Sequence, residues 1–107
     1  MCNFRMWYKT DEEVYVLQCV QCNTYQVRMR NAAFMFDTFT FTLFCEVVAD
    51  LHIESAELKP GEPIKIPTFN QGMDLLLERP ALRELYYLLD GADTEMKAAQ
   101  MTSLFYY

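Results

Sequence analysis

Between residues 3 and 20, apolar positions recur at every second residue: Phe4, Met6 and Tyr8 in one run, Tyr15, Leu17 and Cys19 in the next. A period of two marks a strand with one buried face, and two such runs around TDEE (10 to 13) predict an antiparallel hairpin. With those four residues as the loop, Lys9 falls opposite Val14, Tyr8 opposite Tyr15, Met6 opposite Leu17 and Phe4 opposite Cys19. Apolar then meets apolar along that face, and a slip of one residue would pair the faces wrongly.

The stretch YQVRMRNAAFMF predicts a second hairpin turning at Asn31-Ala32. Met29 would lie opposite Phe34 and Val27 opposite Phe36, with Arg28 and Arg30 on the other face. A two-residue turn with positive φ at both positions suits Asn but not Ala, so a longer, bulged loop is expected. Next, Phe41, Phe44, Cys45, Val48 and Leu51 share one helical face, and the two-residue period ends at Phe44. This spacing predicts a helix over about 39 to 54, capped by Asp37 or Thr38. ESAELKPGEP follows as a loop with Pro60, Gly61 and Pro63.

Beyond that seam the plan repeats. With FNQG (69 to 72) as the turn, Thr68 faces Met73, Ile66 faces Leu75 and Ile64 faces Leu77. Pro80 suits the first turn of a helix, where its missing N–H has no intrahelical partner. Leu82, Leu85, Tyr86 and Leu89 give that helix its apolar face, and Asp90-Gly91 is read as its stop. Asp93 would cap a last helix, about 94 to 104, turning Ala98, Met101 and Phe105 or Leu104 inward. The prediction is a single α+β domain over 1–107, its antiparallel sheet built from hairpins with two or three helices on one face. The element order makes a β-β-α pseudo-repeat, 27 to 54 against 64 to 90.

A chain of 107 residues, 52% of them apolar, can bury one core. Its apolar runs are far shorter than the roughly 20 residues that cross a bilayer, and MCNFRMWYKTDEE lacks the basic end and apolar run of a signal peptide. A soluble cytoplasmic protein with no membrane contact is expected. Nine Lys and Arg against fifteen Asp and Glu give a net charge of −6. The basic residues are scattered, with only Arg28 and Arg30 close on one strand face, which argues against nucleic acid as partner.

In the cytoplasm thiols stay reduced, so the four cysteines are read as buried thiols or a metal site before disulfides. Cys19 and Cys22, in CVQC, have the spacing that lets two thiolates reach one tetrahedral ion at about 2.3 Å. The first-hairpin register puts Cys2 opposite Gln21, so Cys2, Cys19 and Cys22 could converge on zinc. A fourth ligand would have to be Cys45, His52 or water. The bland alternative keeps Cys19 packed on Phe4, Cys45 on its helix face and the other thiols incidental. A redox dithiol needs its first sulfur at a helix N-terminus, and here NTYQVRMR continues as strand. His52 falls in the last turn of the first helix, where the dipole favours a cation. Ser55 and Ser103 sit in no nucleophile-elbow context, and none of the three glycines forms a phosphate loop. No catalytic residue and no cofactor other than zinc is therefore assigned.

The aromatic residues carry an interaction reading. Phe105, Tyr106 and Tyr107 end the chain, where polar, frayed residues are usual, and Trp7 points away from Phe4, Met6 and Tyr8. Tyr and Trp are enriched at interfaces because they bury area while keeping a polar tip satisfied. Either these residues meet a protein partner or a second copy, or the tail folds back over the sheet. The opening Met-Cys, the CVQC about seventeen residues on, the strand pair after it and the helix ERPALRELYYLL together resemble a small uncharacterised family from Bacteroidetes. That resemblance implies a free-standing cytoplasmic protein of unknown function and brings no catalytic residue with it. A small non-enzymatic interaction or regulatory module is the expected role, with a zinc-stabilised module as the alternative.

Overall fold

The computed structural model describes residues 3–59, 61–70 and 72–105, the side chain of Phe105 excepted. Strands β1 (Phe4–Asp11), β2 (Val14–Cys19), β3 (Thr24–Met29) and β4 (Ala32–Phe36) form an antiparallel meander in that order. Helix α1 (Thr38–Glu54) follows, then a 3-10 turn (Ser55–Glu57), a separate hairpin of β5 (Ile64–Pro67) and β6 (Asp74–Leu77), and helix α2 (Arg79–Phe105). The α+β class and the β-β-α order are as expected, but the hairpins lie in two sheets instead of one.

The first hairpin keeps Phe4 opposite Cys19 and Met6 opposite Leu17. Two bulges then alter the register: Tyr8 pairs with Val16, Lys9 with Tyr15 and Asp11 with Val14, and the loop shrinks to Glu12-Glu13. An extra residue in one strand swings successive side chains toward the same side. Tyr8 consequently joins Trp7 against the core, away from Phe4 and Met6. The second hairpin turns at Arg30-Asn31, two positions from the expected register, with Val27 opposite Phe34 and Tyr25 opposite Phe36. Its loop has two residues, not the longer bulged form. Only its first position takes a positive φ (Arg30, +54°), so Ala32 is spared that conformation and becomes the first residue of β4. The adjacent turn holds it, since the Arg30 N–H donates to the Glu13 carbonyl at 2.7 Å. A shift of two preserves the faces, so Phe34 and Phe36 still point inward.

Helix α1 begins where its cap predicts. The Asp37 carboxylate accepts from the Thr40 N–H at 2.7 Å, and the Asp37 N–H donates to Thr40 Oγ1 at 3.1 Å, a reciprocal capping box. Phe41, Phe44 and Val48 are buried from this helix, with Phe44 stacked on Phe36 at 4.6 Å between ring centres. The third hairpin has the expected register, Ile64 to Leu77 and Ile66 to Leu75, and the Thr68 hydroxyl donates to the Met73 carbonyl at 2.7 Å.

The two C-terminal helices expected from the sequence are one. Gly91 does not end α2, because Ala92 to Met101 are mostly strong helix formers and the apolar stripe of Leu85, Leu88, Leu89 and Ala92 runs through it. Lys97 also pairs with Asp93 one turn earlier at 2.8 Å. Gly91 serves close approach: a Cβ there would overlap the Tyr8 ring. Past that contact α2 runs along the margin of the body, and Ala98, Met101 and Leu104 are exposed rather than inward, Leu104 by 78%. The core lies between the inner face of the meander (Val14, Val16, Val27, Phe34), α1, β5 (Ile64, Ile66) and the first half of α2.

Candidate functional site

CVQC is the turn that joins β2 to β3. Cys19 is the buried last residue of β2, Cys22 lies exposed in the turn, and the Asn23 N–H donates to the Cys19 carbonyl at 2.8 Å with Asn23 at φ +54°. The tightness that brings Cys19 and Cys22 onto one turn thus comes from a residue type that tolerates the left-handed region. The Cys19 thiol points toward Gln21 Oε1 at 3.8 Å, and Thr24 Oγ1 donates to Cys22 Sγ at 3.5 Å. Cys2 lies outside the described residues. Among the described residues no three His, Cys, Asp or Glu side chains are placed to share a metal ion. Cys45 belongs to helix α1 and not to this turn. It sits on α1 in a groove of about 550 Å³ between the helices, with Tyr25 and Asp93.

The chemistry available in that groove is limited. The Cys45 thiol is pushed up to about 12, first by burial and then by the negative charges of Asp93 and Glu46. A thiol so protonated at neutral pH is a packing group and a poor nucleophile. The Tyr25 hydroxyl is also raised, by burial and then by Cys45, and its ring stacks on Phe41 at 4.3 Å. His52, in the last turn of α1 as expected, lies flat on Tyr86 with ring centres 4.2 Å apart. It packs two helices together, and among the described residues no serine or carboxylate is hydrogen-bonded to its ring.

Of the aromatic positions, Trp7 is half-buried on the inner side of β1. Its Nε1–H donates to Gln18 Oε1 at 2.8 Å, and the Arg5 guanidinium lies 4.0 Å over its ring. Phe105 is the last residue of α2, and Tyr106 and Tyr107 lie outside the described residues.

A surface that sequence patterning did not single out is the outer face of the meander. The pairings align Met6, Leu17, Gln26 and Met35 in one row across all four strands, with Phe4, Cys19 and Thr24 in the next outward-facing row. Both helices pack on the opposite face. Phe4, Met6 and Met35 are therefore exposed by 60%, 46% and 56%. These rows hold no charged residue. The cations at the turn end, Lys9 and Arg28, are met by Glu12 at 3.1 Å and Glu13 at 3.8 Å.

The fold is that of a small α+β protein in which a four-stranded meander and a hairpin enclose the core with two helices, and among the described residues no helix is long and apolar enough to cross a membrane. The chain belongs to a family of unknown function, DUF6686, which matches residues 1–106. No curated protein and no solved structure matches it. The family match covers the chain nearly end to end, as the resemblance to an uncharacterised family implied, and names no activity.

Proposed function

We propose that this protein is a small non-enzymatic interaction module whose outer sheet face packs against a second copy of the chain. The exposed Met6 and Met35, in one row with the half-buried Leu17 and beside the exposed Phe4, are the observation that carries this reading. A small protein that exposes contiguous apolar area generally uses it, and a charge-depleted patch rich in Met and aromatic residues has the composition of an interface core. Self-association suits the electrostatics. A chain of net charge −6 resists approach of its copy on most faces, whereas this one presents no carboxylate in its central rows. Two antiparallel sheets stack face to face about 10 Å apart, and flexible methionines adjust to such a symmetric contact. Sedimentation equilibrium across a range of concentrations tests this. A mass approaching two 12.6 kDa chains is expected, with Met35→Glu shifting the equilibrium to monomer. A wild type that stays monomeric at about 0.5 mM, roughly the weak end of specific protein association, would overturn it.

A zinc-stabilised corner built from Cys2, Cys19 and Cys22 is the second reading, favoured by the tight Cys19–Asn23 turn and by the reduced thiols of a cytoplasmic setting. Metal analysis of protein purified without added zinc decides it. Stoichiometric metal lost in Cys22→Ser supports the site, and metal-free protein with unchanged stability in that variant removes it.

A further inference from the structure

The two sheets do not hydrogen-bond to each other, and between β4 and β6 they leave a recess of about 160 Å³. Val27 and Phe34 form its sheet wall, Leu75 and Leu77 its hairpin wall, and the small residues Ala32 and Ala81 leave it unfilled. At its margin Arg30 Nη2 meets Glu84 Oε2 at 2.7 Å. Unlike the groove beside Cys45, whose lining includes Glu46, Asp90, Asp93 and Lys97, this recess is lined by apolar side chains apart from Arg30 and Glu84.

We propose that this recess is a binding site for a small neutral molecule, an aromatic ring or a compact branched alkyl group carrying at most one hydroxyl. Size and lining set the first part. An apolar cavity of about 150 Å³ stays dry and takes up benzene, because water there finds no hydrogen-bond partner while a ring regains the missing dispersion contacts. The mouth sets the second part. Arg30 and Glu84 already neutralise each other, so an ionic headgroup would have to displace one partner and leave the other unpaired. A hydroxyl can instead accept from Arg30 and donate to Glu84 without separating them. Charge complementarity therefore selects a neutral ligand, and the volume excludes long acyl chains.

The test uses the full-length chain labelled with ¹⁵N and titrated with benzene, phenol and benzoate. Saturable amide shifts at Val27, Ala32, Leu75 and Ala81 are expected with benzene and phenol, with benzoate binding at least tenfold more weakly. Ala81→Leu, which fills the recess from α2, and independently Ala32→Ile, which fills it from β4, should each weaken phenol binding at least tenfold while the far-UV circular dichroism stays that of the wild type. Absence of saturable shifts with both neutral probes would overturn the site, as would undiminished phenol binding in whichever variants fold. Benzoate binding as tight as phenol would overturn the role given to the ion pair.

Discussion

Substituting Gly91 by Ala tests the packing of α2 on the meander, because two known effects oppose each other at this position. In an exposed helix interior the change stabilises by about 1 kcal/mol, since Gly loses more backbone freedom on folding. At Gly91 the added methyl would overlap the ring of Tyr8, which the bulge in β1 directs at the helix. Forcing a methyl into an occupied site costs about 1–3 kcal/mol, so the net expectation is a loss of about 1 kcal/mol despite the helical gain. For a domain of this size that lowers the melting temperature by about 4 °C. The discriminating experiment is a double-mutant cycle by urea unfolding. In a Tyr8→Ala background the obstacle is gone, and Gly91→Ala should become stabilising by about 1 kcal/mol, giving a coupling of about 2 kcal/mol. If Gly91→Ala stabilises the otherwise wild-type protein to the same extent as it does the Tyr8→Ala variant, Tyr8 is not packed against Gly91 and the close approach assigned to that glycine is refuted.

Other consequences are as direct. The Asp37 carboxyl is held below the usual carboxylate range by hydrogen bonds from the Thr40 N–H and hydroxyl. A depressed folded value means that its contribution is complete above the unfolded value, about 4, and is lost as pH falls through the folded one. Asp37→Ala should therefore destabilise at pH 7, and the gap from wild type should close as unfolding is measured below pH 4; a gap independent of pH would refute the cap. Cys45, with its thiol near 12, should resist iodoacetamide at pH 8 in the folded protein and react once urea is added, as read by peptide mass. Removal of residues 104 to 107 should leave the dimer intact, because Ala99 and Ser103 near the end of α2 face Trp7 on the inner side of the sheet. Dissociation on that truncation would place the interface at the aromatic tail instead.

The elements that a sequence can specify locally were legible. The Asp37 cap, the face of α1 and the register of the β5–β6 hairpin each depend on neighbours within a few residues, and the structure keeps all three. What escaped depends on the other side of the molecule. Strand β2 is apolar on both faces, with Val14 and Val16 on one and Tyr15, Leu17 and Cys19 on the other, so periodicity shows a strand without showing which face the helices cover. The β-branched valines are the buried set, which turns the apparent core of Phe4, Met6 and Leu17 into the outer surface. The adjacent aromatics Trp7 and Tyr8 were the available sign of a bulge, because strict alternation cannot bring both inward. Gly91 illustrates the same ambiguity for helices. A glycine ends a helix when it takes a left-handed conformation and continues one when its missing side chain makes room for a neighbour, and only the position of Tyr8 distinguishes the two.

The proposed interface is tested most directly by an isotope-filtered NOE experiment on an equal mixture of protein with ¹³C-methyl-labelled methionine and unlabelled protein. Cross-peaks from the Met6 and Met35 methyls to protons of the unlabelled copy, including those of the Phe4 ring, are the predicted result. Filtered spectra in which those methyls show no contact with the other copy, at concentrations where sedimentation reports a dimer, would contradict the outer sheet face as the interface.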